Sequence, residues 1–293
     1  MTRSYCESTI RLRNLYEAIA RGDDILQYFP NGLREDLEGR EKIAIAEIAD
    51  RDSIAACLKV IMDGKIKEIL PVADDIPPEY GNLNKAFNHV FWLQKQAEKY
   101  NAKVYDLVFI KSEEIYTTLT ARYTEELISR YGFYAPCISC HMYFHTLRVP
   151  IVRALGGTKI VGGERELHDN RVKTSQIPLA IDYYQKAVSM LGGELILPLR
   201  KISDTKDIIN LTFDDNPQLS CMFKERYGDL PRSVMNDKVK LKKFIEEFSL
   251  PITVDLIRTI TTKQNVSITG WADDFVEKNL KWTKGSRDNN IVK

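Results

Sequence analysis

The stretch KIAIAEIADRDSIAACLKVIMDG, Lys42 to Gly64, carries a strand, a loop and a helix in one run. Its first seven residues, Lys42 to Ile48, form a short apolar run that suits a buried strand. Ile54, Cys57, Leu58 and Ile61 then recur at helical spacing, and Gly64 is a stop signal. Between them lies a tight polar loop, Ala49 to Ser53. The same grammar repeats down the chain. Strands are expected over 66–74, 102–111, 158–161 and 193–199. Helices are expected over 82–100, from Ser112 to about Tyr131, from the Cys137 segment to Leu155, and over 175–191. Strands alternating with helices imply an α/β fold: a doubly wound, Rossmann-like parallel sheet of five strands with helices on both faces.

Three regions follow from this pattern. Residues 1–40 read as a helical N-terminal extension, with Ile10, Leu12, Leu15, Tyr16 and Ile19 near one face. Residues 41–202 carry the α/β pattern. Residues 203–293 read as helical, over 204–211, 216–227, 237–248, 251–262 and 269–280, and suit a substrate-side or oligomerisation element. The tail Lys284–Lys293 reads as frayed.

Composition narrows the function classes. A chain of 293 residues can bury a sizeable core without disulfides or metals. Its net charge of +1 gives no bulk electrostatic case for nucleic acid, leaving only local basic patches. No signal-peptide h-region and no run of membrane-spanning length is apparent. Five cysteines is an odd count, so a reducing cytoplasm is the expected setting, where C-x-x-C reads as a metal, redox or catalytic pair.

Reactive groups concentrate between Ala135 and Asp169. This stretch holds Cys137 and Cys140 and three of the four histidines: His141, His145 and His168. Cys137 and Cys140 suit a nucleophile with its partner, ligands of zinc or an iron–sulfur cluster, or a structural pair. Two thiolates do not fill a tetrahedral site. The remaining ligands would come from His141, His145, His168 or the distant Cys221. A position near a helix N-terminus is expected to lower a cysteine's pKa. On the helix, Cys140 falls on the face of Phe144, Leu147 and Ile151, with His141, His145 and Arg148 on another. Gly162–Asp169 mixes permissive glycines with Glu164, Arg165, Glu166 and Asp169, which suit a cation, a phosphate or a base. A solvated loop with internal ion pairs is the alternative. In the Ala49–Ser53 loop, Asp50 or Asp52 either caps the following helix or serves an anion or Mg²⁺ site.

Strand, loop, Asp52-Ser53 and helix together resemble the pyrophosphate-loop (PP-loop) ATPases, whose motif is S-G-G-x-D-S. Cys137–Cys140–His141 at the head of a helix, Gly163–Asp169 after a strand, and Pro198-Leu199-Arg200 are similar to later motifs of that superfamily. Their order resembles that of its tRNA-thiolating and sulfur-transferring members. The resemblance covers about residues 42–212. It departs where the first Ser and both Gly of the motif fall on Ile48, Ala49 and Asp50. Asp50 puts a negative charge where the pyrophosphate would lie.

The resemblance implies ATP and Mg²⁺ over Ala49, Asp50, Arg51, Asp52 and Ser53, with Gly162, Gly163, Glu164, Arg165 and Arg200 completing the nucleotide site. It implies catalytic roles for Cys137, Cys140 and Asp169, and metal or cluster binding by the C-x-x-C pair; with the neighbouring histidines, the expected ligands of zinc or an iron–sulfur cluster are Cys137, Cys140, His141 and His145. The expected activity is adenylation of an acceptor with cysteine-assisted transfer of sulfur. The acceptor would be a tRNA base or a small cofactor precursor. No membrane partner is expected, and a homo-oligomer stays open. The alternatives are a metal protein built on the Cys137–His141 cluster and a non-catalytic nucleotide-binding protein that lost the loop glycines.

Overall fold

A computed structural model of the chain describes residues 4–212, 220–222, 230 and 232–281. Its main sheet is built from β1 (Thr9–Arg11), β2 (Ala44–Glu47), β3 (Glu68–Asp75), β5 (Lys103–Val104), β6 (Val108–Lys111), β7 (Lys159–Val161) and β8 (Glu194–Ile196). β4 (Glu79–Tyr80) and β9 (Ser220–Cys221) form a separate antiparallel ribbon. The helices are α1 (Leu12–Arg21), α2 (Asn31–Leu37), α3 (Arg51–Met62), α4 (Lys85–Glu98), α5 (Glu113–Thr120), α6 (Thr124–Tyr131) and α7 (Pro136–Thr146). They continue with α8 (Arg148–Ala154), α9 (Pro178–Met190), α10 (Thr205–Leu211), α11 (Arg232–Asn236), α12 (Lys238–Phe244), α13 (Leu250–Thr262) and α14 (Ile268–Leu280).

The sheet is parallel throughout, in the order β1-β6-β3-β2-β7-β8, with β5 beside β3. The chain leaves β2 toward β3 and β6, then crosses back to add β7 and β8 on the other side. The connections therefore part between β2 and β7, and ligand crevices form at such a switch point, beyond the carboxyl ends of the strands.

The doubly wound α/β class is as expected. The strand count rises from five to seven, because β1 joins the sheet and one expected strand divides in two. β1 comes from the region read as helical: Thr9, Ile10 and Arg11 pair with Phe109, Ile110 and Lys111 and cover the free edge of β6. An uncovered edge leaves a row of unpaired backbone groups, and three extended residues remove it. The expected strand over 102–111 is broken into β5 and β6. The helix expected over 216–227 lies outside the described residues except at 220–222, where Ser220 and Cys221 instead pair with Tyr80 and Glu79. The tail Lys284–Lys293 lies wholly outside them.

The period-2 alternation of strands divides the core into two. Ala44 and Ala46 of β2 face α3, which buries Ile54, Leu58 and Ile61 against the sheet with α4 and α10. Each such side chain contributes roughly 1.5–3 kcal/mol. Ile45 points the other way, into the larger layer that runs from α1 through α7, α8 and α9 to α13 and α14. This layer takes residues from Ile10 to Leu280, so both terminal regions share it. Lys238, Lys240, Lys242 and Lys243 of α12 are exposed, as a solvated helix face. Among the described residues no helix is long and apolar enough to cross a membrane.

Candidate functional site

The Ala49–Ser53 loop closes on itself. The Asp50 carboxylate accepts hydrogen bonds from the backbone N–H of Asp52 (3.0 Å) and Ser53 (3.3 Å), capping α3. Ser53 Oγ donates to Asp50 O at 2.6 Å and accepts from Ala49 N and Asp50 N at 3.1 and 3.2 Å. The N–H groups that a phosphate would use are thus already taken by a carboxylate of the loop. Asp52 pairs with the buried Arg165, whose Nε donates to Asp52 Oδ2 at 2.9 Å. Burial and the neighbouring Asp50 push the Asp52 carboxyl up to about 6, against the pull of Arg165. Gly163 is required here. A Cβ on it would lie 2.6 Å from Ser53 N and 2.7 Å from Asp52 C, so only glycine lets the end of β7 touch the start of α3.

α7 begins with Pro136 at its first turn, a position where the missing N–H is not needed. This start points Cys137 and Cys140 into a cleft enclosing about 1040 Å³ of solvent-open space. The same cleft is lined by Asp50, Asp52, Glu79, His141, Glu164 and Cys221. Cys221 reaches it on β9, where the β4 ribbon and a bond from Met222 N–H to Pro78 O (2.8 Å) hold the backbone. Cys140 accepts a hydrogen bond from the Tyr116 hydroxyl at 3.4 Å. Its thiol departs from expectation. Burial pushes it well above the ordinary value, the Tyr116 bond opposes, and nearby Cys137, Glu79 and Cys221 add to the rise. Desolvation of a thiolate here outweighs the helix N-terminus. Cys6 is exposed and Cys57 is buried elsewhere.

Behind the thiols lies a buried polar chain. Glu47, the last residue of β2, sits on the same side of the sheet as Ile45 and meets His145, with Oε2 2.9 Å from Nδ1. His145 Nε2 is 3.0 Å from Glu164 Oε1, and His141 Nδ1 is 2.6 Å from the same oxygen. The i, i+4 spacing of His141 and His145 on α7 puts both rings on one face. Burial would lower the His145 pKa, but the Glu47 and Glu164 carboxylates raise it to about 9. Glu164 is held well below the usual carboxylate range: burial opposes this, and the His141 and His145 rings outweigh it.

Donor and acceptor roles beyond Glu164 follow from Arg165, which can only donate. His168 Nδ1 therefore accepts from Arg165 Nη2 (2.9 Å), and His168 Nε2–H donates to Gln176 Oε1. The Gln176 amide then donates to Glu164 Oε2. Burial, Lys173 and Arg165 lower the His168 pKa to about 4, which keeps the ring neutral as this chain requires. One hydrogen-bonded path thus joins the α7 histidines to Asp52. Beneath it, Arg148 is fully buried and donates to Val72 O (2.9 Å), Phe144 O and the Asp74 carboxylate.

Of the residues singled out from sequence, Ala49, Asp50, Asp52, Ser53, Cys137, Cys140, His141, Gly163 and Glu164 line one cleft. His145, Gly162 and Arg165 support it from behind: a Cβ on Gly162 would lie 3.1 Å from His145 Cε1. Others lie apart. Arg51 is half-buried outside the cleft lining. Asp169 accepts from Thr205 N at 2.7 Å. Arg200 pairs with Glu166 and Asp182 at 2.7 and 2.6 Å, away from the cleft. His89 is buried on α4. Sequence reasoning passed over Glu47, Glu79, Lys173, Ser175 and Gln176, which all line the cleft. Glu47 left one signal, a lone charge inside an apolar strand.

The fold and the cleft define a Rossmann-like α/β protein whose crevice, at the switch point, is lined by thiols, imidazole and carboxylates. The chain belongs to the same family as the uncharacterized protein MJ0009 of Methanocaldococcus jannaschii, with 33% identity over 223 residues, 74% of this chain and 80% of that one. No family model matches it. The solved structure of the U34-tRNA thiolase NcsA from Methanococcus maripaludis, with its [4Fe-4S] cluster, aligns over 96% of this chain and 88% of that one. The identity is 14% and the TM-score 0.34.

Proposed function

We propose that the chain is a PP-loop-type enzyme that activates an acceptor with ATP and delivers sulfur to it. The acceptor is a tRNA base or a small cofactor precursor. One observation carries this reading: Cys137, Cys140 and Cys221, from two distant parts of the chain, meet the Ala49–Ser53 loop in one cleft. The acceptor's carbonyl oxygen attacks the α-phosphorus and pyrophosphate leaves. A sulfur nucleophile then displaces AMP at that carbon, so the C–O bond breaks as the C–S bond forms. Because Asp50 caps the α3 amides, Arg171 and Lys173 of the cleft lining would hold the phosphates, and Mg²⁺ would offset the charge of the Asp50 carboxylate.

Three thiols lining one cleft suit an iron–sulfur cluster. Tetrahedral zinc takes thiolates at about 2.3 Å, which brings them within roughly 4 Å of one another. As a set the three thiols are spread more widely than 4.8 Å, since among the described residues only His141, His145 and Glu164 converge that closely. Such a cluster would be held by Cys137, Cys140 and Cys221 and would supply or hand on sulfur. Tyr116 donates to Cys140, and Phe144 lines the cleft beside the thiols.

Anaerobic reconstitution with iron and sulfide tests the cysteine site. The expected charge-transfer absorbance and bound iron are lost in Cys221→Ser. A variant that keeps both refutes the site. Total tRNA from cells lacking the chain, incubated with ATP and sulfide, should then gain thiolated nucleosides and release pyrophosphate. The capped loop favours a second reading, a metal protein that takes no nucleotide. Asp50→Gly decides: if it creates ATP binding that the natural chain lacks, the second reading stands.

A further inference from the structure

We propose that His141, His145 and Glu164 form a separate site for one divalent ion of the zinc or ferrous class. The inference does not depend on the sulfur-transfer reading. Three ligand atoms, one from each residue, lie within 4.8 Å of one another. Two imidazoles and a carboxylate suit borderline ions such as Zn²⁺ and Fe²⁺ rather than Mg²⁺ or Ca²⁺, which prefer all-oxygen sites.

The groups behind these ligands are those a metal site uses. A ligating histidine commonly turns its other ring nitrogen to a carboxylate, which fixes the tautomer and raises the basicity of the ligand. His145 has this arrangement: Nε2 faces Glu164 and Nδ1 lies 2.9 Å from Glu47 Oε2. Among the described residues, neither Glu47 Oε2 nor His145 Nδ1 has another hydrogen-bond partner. Gln176 fixes the carboxylate in the same way, taking Oε2 and leaving Oε1 toward both imidazoles. The Tyr184 ring stacks on His141 with an interplanar angle of 19° and packs on His145 at 47°. Gly162 leaves the room that the His145 ring occupies.

Access is one-sided. The His145 and Glu164 side chains are 0% and 3% exposed, while His141 is 26% exposed. His141 and Glu164 both line the cleft. Three protein ligands leave a coordination position open on that side, the pattern of ions that take a water or a substrate oxygen. The ion would face the same space as Cys137 and Cys140.

Zinc ion alone is the probe. Chelator-treated full-length protein is titrated with Zn²⁺ by calorimetry, and bound metal is counted after desalting. The triple variant Cys137→Ser, Cys140→Ser, Cys221→Ser should keep one equivalent. His141→Ala, chosen because its ring is the most exposed of the three, and Glu164→Gln should lose it with their circular dichroism unchanged. Glu47→Gln should weaken binding about 10–100-fold. Should the triple variant fail to fold, Co²⁺ bound to the natural chain after alkylation of accessible thiols gives the same answer: tetrahedral visible bands without a thiolate charge-transfer band support the site. Unchanged zinc binding in His141→Ala and Glu164→Gln overturns the proposal, and so does a cobalt spectrum dominated by thiolate. Glu164→Gln that loses zinc yet keeps iron–sulfide absorbance separates this site from the cysteines.

Discussion

Replacing Arg148 by Met tests how the floor of the cleft is held. The Arg148 guanidinium is wholly buried and gives hydrogen bonds to Val72 O, Phe144 O and the Asp74 carboxylate. Methionine keeps most of the stem's volume and removes the charge. Burial pushes the Asp74 carboxyl up to about 6 even with Arg148 opposing, and the nearby Glu47 adds to the rise. Without the cation, Asp74 either stays charged in the core or takes up a proton. Taking up that proton at pH 7 costs at most about 4 kcal/mol, from roughly 1.4 kcal/mol per unit above the ordinary carboxyl value. Two carbonyls also lose a charged donor. The expected loss is about 3–5 kcal/mol, the range for breaking one side of a buried ion pair.

Urea denaturation at pH 7.5 measures this loss, and two further readings identify its cause. The sign follows from the raised Asp74 pKa: a folded state that binds the proton more tightly gains as pH falls. Arg148→Met should therefore recover part of its deficit relative to the natural chain by about pH 5, where a neutral Asp74 needs no cation. Asp74→Asn in the same chain should recover a similar part at neutral pH. A loss under about 1 kcal/mol, or a double variant no more stable than Arg148→Met, would refute the reasoning.

Two other outcomes follow from the site. His145 is raised from 6.5 to about 9, so its contribution is complete below pH 6.5 and is lost as pH rises to about 9. Metal-free protein should lose roughly 1.4 kcal/mol per pH unit from this group in that window, and an imidazole that NMR shows titrating below 6.5 would sink the account. Gly163→Ala should destabilise by about 1–3 kcal/mol. Its Cβ would meet the Ser53 and Asp52 backbone at 2.6 and 2.7 Å, and unchanged thermal stability would show that the loop yields.

Local patterning marked the core strands and the helices between them, although α5 with α6, and α7 with α8, each read as one helix. Short apolar runs and helical spacing are local signals, so the core strands β2, β3, β6, β7 and β8 were legible, as were the crowded helix at Cys137 and the loop after β2. β1 was not legible, because three residues become a strand only when the β6 edge is beside them. The fate of Asp50 was stated as a choice between cap and anion site, and only the backbone geometry of α3 shows the cap. Arg200 and Asp169 looked like site residues because they end strand and loop motifs. Their partners Glu166, Asp182 and Thr205 hold them elsewhere. Glu47, Gln176 and Cys221 lie far apart in sequence and reach one cleft through sheet register, a loop and the β4–β9 ribbon. Local periodicity reports which face a residue takes, while the partner on that face comes from chain crossings, and those are fixed only when the core closes.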